Sequence, residues 1–169
     1  TNPDITDAQG ETVLDHDLVH VRRSRFLWKG TCHERLAVRN FADKAVSIAL
    51  DIGFSADFAD LFEVRGTARV RRGQLHDPQL GPDHVELAYT GLDGIVRRTQ
   101  MRFFPQPDAL SGNHARFDLI LAPGETRSVF LAIDCLGGEA AAVSRTSFFS
   151  AIREARRALR ASSSRATAI

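Results

Sequence analysis

Alternating apolar and polar positions run from Leu18 to about Asp134, broken by turn residues. The first sixteen residues are polar, with Pro3 and Gly10 as punctuation, and predict a loop. From Leu18 to Trp28 the two parities are mixed. Val19, Val21 and Leu27 lie on one, Leu18, Phe26 and Trp28 on the other, and Arg22, Arg23 and Arg25 crowd the middle. Cys32, Glu34, Leu36 and Val38 then alternate with His33, Arg35, Ala37 and Arg39, which predicts a half-buried strand with a basic outer face. Asn40 to Lys44 reads as a turn. Beyond it Val46, Ile48, Leu50, Ile52 and Phe54 share one face, and the spacing predicts a hairpin with the preceding strand.

A second hairpin is expected from Val85, Leu87 and Tyr89 through the turn Gly91-Leu92-Asp93-Gly94 to Ile95–Phe104. Another pair of strands covers Ala115–Leu121 and Arg127–Asp134, joined by Ala122-Pro123-Gly124-Glu125. Only the C-terminal part has helical periodicity. Phe148, Ile152, Ala155 and Leu159 form one face, and Arg153, Arg156, Arg157 and Arg160 cover the other. Thr146 or Ser147 is the expected cap, and Ser162-Ser163-Ser164 the expected end. The pattern predicts a mainly β fold, an antiparallel β-sandwich (supersandwich-like) with a C-terminal α-helix. No repeat of solenoid length is visible.

One segment breaks this regularity. Asp57-Phe58-Ala59-Asp60-Leu61-Phe62-Glu63-Val64-Arg65-Gly66 interleaves three carboxylates and a guanidinium with large apolar side chains. If the run is extended, Asp57 and Glu63 fall on one face roughly 20 Å apart. Glycosidases need their two carboxyl groups about 5–10 Å apart, so the simplest two-carboxylate use of the run fails. A helical turn would bring Asp57 and Asp60 together, but the second partner would have to come from elsewhere. The favoured reading makes Asp60 a semi-buried acceptor for backbone amides or for Arg65, because a buried carboxylate needs a partner.

Bulk properties narrow the field further. A chain of 169 residues can bury one real core, and a net charge of +1 gives no global pull toward nucleic acid or membrane. No window approaches the ~20 apolar residues of a membrane span, and no signal-peptide pattern opens the chain. Eleven Phe against one Trp and one Tyr mark the aromatics as mainly core filler. Cys32 and Cys135 lie in apolar strand patterns and are expected as two buried, reduced thiols. The histidines His16, His20, His33, His76, His84 and His114 show no zinc-like spacing, and no phosphate loop or nucleophile elbow is present. Neither a metal nor a cofactor is expected. The stripe Arg22, Arg23, Arg25, Arg35 and Arg39 reads as a solvated face, or one that pairs with acidic residues of a neighbouring domain.

Three stretches carry a resemblance: Val21 to Gly30, Glu34 to Phe41, and above all Asp57 to Gly66. Together they are similar to the N-terminal domain of bacterial glycogen-debranching-type, amylo-α-1,6-glucosidase-like enzymes. The likeness is weaker through residues 67–112 and returns at Leu121-Ala122-Pro123-Gly124-Glu125 and in the C-terminal helix. It implies a β-sandwich that precedes an (α/α)₆ toroid carrying the catalytic carboxylates. Residues 1–145 would form the sandwich, and 146–169 the helix and the start of a linker. The missing initiator Met and the abrupt ends fit a piece of a larger cytoplasmic enzyme. No catalytic residue carries over onto this chain. Asp57, Asp60, Glu63, Arg65 and Trp28 are the candidate ligand or interdomain contacts, and Arg65 with the acidic residues is expected to brace the sandwich corner or face the toroid.

Three roles are then in play. The first is an accessory domain that supports the toroid and helps hold an α-glucan. The second is a free-standing carbohydrate-binding module, which would have only Trp28 and Tyr89 for stacking. The third is an interaction or homodimerisation domain that uses the basic faces and the helix.

Overall fold

The computed structural model describes residues 1–135 and 143–166, with side chains of the last helix described as far as Ser162. In chain order the elements begin with β1 (Ile5–Thr6), β2 (Thr12–Leu14), β3 (Val19–Trp28), β4 (Thr31–Asn40) and β5 (Val46–Gly53). The one-turn helix α1 (Leu61–Val64) follows, then β6 (Gln74–Leu75), β7 (Gln79–Leu80), β8 (His84–Thr90) and β9 (Val96–Phe104). The chain ends with β10 (Ala109–Leu110), β11 (His114–Leu121), β12 (Thr126–Asp134) and α2 (Arg145–Ala166). The expected opening loop in fact contains the small antiparallel β1–β2 hairpin, with Leu14 reaching the core.

A seven-stranded sheet in the order β3-β4-β12-β9-β8-β6, with β7 on β8, faces a three-stranded sheet in the order β10-β11-β5. All pairings are antiparallel, and the architecture is the predicted β-sandwich. Leu36, Val38, Val129, Leu131, Met101, Phe103 and Val85 project from the large sheet. Ala115, Phe117, Leu119 and Leu121 meet them from the small one, and Phe103 packs on Phe117 at 6.2 Å between ring centres.

The hairpin expected between Cys32–Arg39 and Val46–Phe54 does not form. β4 pairs with β3 and β12, whereas β5 pairs with β11 in the opposite sheet. The strands read as the pair Ala115–Leu121 and Arg127–Asp134 are likewise divided between sheets. Both short connections are crossovers, because each strand must cover a different side of one core. The β3–β4 hairpin turns instead at Lys29-Gly30, both with positive φ (50° and 82°), as a two-residue turn of this twist requires. The β8–β9 hairpin forms as expected, around Gly91–Gly94.

Helix α2 packs on the outer face of the large sheet and makes a third layer. Phe148, only 3% exposed, meets Phe26 at 5.3 Å and Phe130 at 5.4 Å. The strand β12 is therefore covered on both faces, which accounts for its unbroken run Val129-Phe130-Leu131-Ala132. The helix cap is neither Thr146 nor Ser147 but Ser144. Its Oγ accepts from the Ser147 amide at 3.0 Å, and the Ser147 Oγ accepts from the Ser144 amide at 2.8 Å. The helix also runs through Ser162-Ser163-Ser164, since serine lowers helix propensity only modestly and neither Gly nor Pro stops it there.

The arginine stripe is split between the two faces of the large sheet. Arg23 and Arg25 point inward to Glu34, which is 1% exposed, while Arg35 lies on the outer face against Phe130 and Phe149. Of the two thiols, Cys32 is half-buried, but Cys135, just past the end of β12, is exposed, contrary to the expectation of burial. Phe103, Phe117, Phe130 and Phe148 fill the core, whereas Phe41, Phe62 and Phe104 lie at the surface.

Candidate functional site

Past β5 the chain crosses the end of the sandwich and closes on itself. Asp57 Oδ1 accepts from the Ala59 amide at 3.0 Å, and Phe58 takes a left-handed backbone (φ 49°) that turns its ring inward. That ring stacks on Tyr89 of β8, 5.5 Å between centres and 11° from parallel. The run is thus not extended. Asp60 caps α1 by accepting from the Phe62 and Glu63 amides at 2.8 and 2.9 Å, while Glu63 Oε2 accepts from the Asp60 amide at 2.9 Å. Gly66, at φ 94°, ends the turn. Its amide and that of Thr67 reach back to the carbonyls of Glu63 and Phe62, both at 2.9 Å.

Asp60 was expected as a semi-buried acceptor for backbone amides or for Arg65, and it does accept from the amides. It is exposed, and its guanidinium partner is Arg69, with Nε at 3.0 Å. Arg65 supplies only its backbone to the helix end and its side chain faces solvent, because the Gly66 reversal turns it away from the cap. Glu63 is held by Arg72 Nε at 3.0 Å, and a terminal nitrogen of Arg72 donates to the Asp57 carbonyl at 2.5 Å. Arg72 also lies over the Tyr89 ring at 5.9 Å, opposite a Tyr89 hydroxyl that accepts from the Gly73 amide at 2.7 Å. Tyr89 is the post on which the whole segment hangs.

Asp57, Asp60 and Glu63 are therefore brought together and Trp28 is not. Trp28 lies on the outer face of the large sheet, where its Nε1 donates to Glu154 of α2 at 3.3 Å beside Lys29. Arg69, Arg72, Asp93 and Arg97 were missed as site residues by sequence reasoning, and Tyr89 was named only as a stacking residue of a binding module. A signal for the turn lay in Asp60-x-x-Glu63 followed by Gly66, a capping box with a glycine stop, but the run was not read that way. The arginine partners carried no local signal.

Beside α1 the inner face of the large sheet extends past the narrower small sheet. The uncovered part is a groove of about 830 Å³, with Thr99 and Cys135 on its floor, the Phe58–Arg72 segment on one side and the Gly91–Arg97 turn on the other. In that turn Arg97 grips Asp93 with both terminal nitrogens, at 2.7 and 3.1 Å. A side chain at position 91 would strike both groups, within 2.6 Å. The Arg97 hydrogen bond, then the Ile95 amide, takes the Asp93 carboxyl from 3.8 to about 2. The Glu63 amide foremost, with Arg69 and the Phe62 amide behind it, lowers Asp60 as well, against some opposing desolvation. A glycosidase acid needs the reverse, a carboxyl pushed upward so that it stays protonated. Among the described residues no three metal-ligating side chains gather.

No curated protein matches this chain. Among solved structures, a polysaccharide lyase is similar at 15% identity and a TM-score of 0.45. The match covers 80% of this chain and 23% of the lyase, and it is too distant to support any argument. The family comparison is informative: residues 1–132, nearly the whole sandwich, match the N-terminal domain of some glycogen debranching enzymes, and the chain belongs to that family.

Proposed function

We propose that this chain is a non-catalytic accessory domain of a glycogen-debranching-type glycoside hydrolase, amylo-α-1,6-glucosidase-like, acting in the cytoplasm. Residues 1–145 form the sandwich, and 146–169 lead toward a downstream catalytic (α/α)₆ toroid in the same polypeptide. The domain braces the toroid and helps to hold the α-glucan. Family membership over residues 1–132 is the observation that carries this reading. The state of Asp60 supports it, since a carboxyl held low by amides and an arginine is a poor proton donor to a leaving glycosidic oxygen. Leu61, Phe62 and Val64, all exposed on α1, offer an apolar contact for a neighbouring domain.

The test compares three proteins: this chain, the catalytic domain alone, and the two joined. The chain alone should release no glucose from glycogen or branched limit dextrin. The joined protein should be active and should melt above the catalytic domain by itself. A catalytic domain equally stable and active without residues 1–145 would overturn the bracing role.

A further inference from the structure

The sandwich has two long sheet edges, β3 and β5, and only one of them is guarded. The remaining edges, β10 on the small sheet and β6 with β7 on the large one, are two-residue strands. β3 carries Arg22, Arg23 and Arg25 along its middle, and charge on an edge strand keeps other strands off it. One end of β3 is also taken by Asn2, whose amide donates to the Val19 carbonyl at 3.0 Å while its Oδ1 accepts from the Val19 amide at 2.8 Å. β5 reads Val46-Ser47-Ile48-Ala49-Leu50-Asp51-Ile52-Gly53, with no Lys, Arg or Pro. Its register with β11 is unbroken and has no bulge. A run so rich in β-formers and so poor in charge, left on an edge, invites a further strand.

Hydrogen bonding defines the open side of β5. The Phe54 amide donates to the Asn113 carbonyl at 3.0 Å, in the register that sets Gly53 against His114. Bonded pairs alternate along an antiparallel ladder, so Val46, Ile48, Leu50 and Ile52 spend their backbone groups on β11. Ser47, Ala49, Asp51 and Gly53 turn theirs outward, where no backbone group of the described residues meets them. All four are exposed. Beside this edge a cleft of about 410 Å³ separates Val46–Ala49 from the β1–β2 hairpin, with Ile5 and Val13 exposed on its far side. Ile48, Leu50 and Ile52 face the core yet are only half-buried, because no strand lies beyond them.

The strand that fits there best is β5 itself. Turned antiparallel about Ala49, a second β5 sets Ala49 against Ala49 and Ser47 against Asp51. Each outward residue then meets an outward residue, as the ladder requires. The Ser47 hydroxyl can donate to the Asp51 carboxylate of the second copy, which has acceptor sites beyond the one that His114 takes at 3.1 Å. On the inner face Ile48 meets Leu50 and Val46 meets Ile52, which continues the apolar row. β3 turned the same way about Arg23 would set that guanidinium against its own copy. We infer that a second copy of this chain pairs along β5, joining two three-stranded sheets into one of six strands. Contact along one strand falls below the ~1,200 Å² of a standard interface, so the dimer is weak and reversible. This inference goes beyond the accessory-domain reading and does not depend on it.

Sedimentation equilibrium of the 169-residue chain from roughly 10 μM to 1 mM tests it. The mean mass should rise from 18.6 kDa toward twice that value. Ala49→Lys sets two like charges face to face and should weaken association about fivefold. Ala49→Pro removes the outward N–H of both copies, breaks no bond to β11, and should leave a monomer. If a variant fails to fold, hydrogen exchange on the unaltered chain decides: the Ser47, Ala49 and Asp51 amides should gain protection as concentration rises. Three results would overturn the inference: a mass of 18.6 kDa throughout the range, a dimer that both variants leave intact, or concentration-dependent protection at β3 or α1 and not at β5. None of them bears on the bracing role, which is read separately from the melting temperature and activity of the joined protein.

Discussion

Asn40, the last residue of β4, donates its side-chain Nδ2 to the carbonyl oxygen of Leu121, the last residue of β11, at 3.1 Å. The same nitrogen reaches the carbonyls of Lys44 at 2.8 Å and Ala122 at 3.2 Å, and the Asn40 Oδ1 accepts from the Ala42 amide at 2.8 Å. One side chain, 0% exposed, thereby ties down both crossovers between the sheets. Asn40→Ala strands these buried groups and is expected to cost roughly 2–4 kcal/mol. Asn40→Asp, which cannot donate, should cost at least as much. Urea unfolding midpoints measure both, and a change within error in either variant would show that the crossovers hold without this residue.

Glu34 and its two arginines predict an asymmetry. The Glu34 carboxylate is buried on the inner face and takes Arg25 Nε at 2.7 Å as well as the guanidinium of Arg23, while both arginine heads remain half in water. Removing both arginines leaves an unpaired buried charge and should cost about 3–5 kcal/mol. Glu34→Met replaces the charge with an apolar chain of similar volume and leaves two arginines free to solvate, so stability should change little. Equal losses in the two variants, by thermal or urea unfolding, would contradict this account.

At Asp60 the expected damage is local. Asp60→Ala removes the cap of a one-turn helix at the sandwich end, not a core contact. Hydrogen exchange should show the Phe62 and Glu63 amides losing protection while Val38 and Phe117 keep theirs. A collapse of protection across the core would mean that the segment is part of the cooperative unit.

The Asp93–Arg97 pair has a defined acid response. The Asp93 carboxyl titrates at 3.8 when unperturbed and at about 2 here, so the folded state favours its ionised form. Its contribution is complete above pH 3.8 and is lost as pH falls through about 2. The Gly91–Ile95 turn should therefore stay ordered at pH 4 and loosen toward pH 2, as followed by the Ile95 amide shift. A midpoint near 3.8 would mean that Arg97 does not hold the carboxylate in solution.

Phe148→Ala should cost about 3–5 kcal/mol, because it opens a cavity between α2 and the Phe26–Phe130 surface. If unfolding is unchanged and only helical ellipticity falls, α2 docks independently of the sandwich.

Much of the fold is local in origin and could be read from the chain. Alternation along Val46–Gly53 and His114–Leu121, and the helical spacing from Phe148 to Ala155, follow from each element's own geometry. The Asp60-x-x-Glu63 turn with Gly66 after it is also local in origin, although it was not read as a capping box; membership of the debranching-enzyme domain family was legible in the residues from Asp57 to Gly66. Which strands pair was decided only in three dimensions. The short links after Asn40 and Leu121 resemble hairpin turns in spacing, yet the core is closed only when each link passes to the other sheet. The meeting of Arg69, Arg72, Tyr89 and Arg97 with the acidic segment also needed the tertiary structure. A guanidinium finds its carboxylate by where the sheets carry both, and no spacing along the chain records that distance.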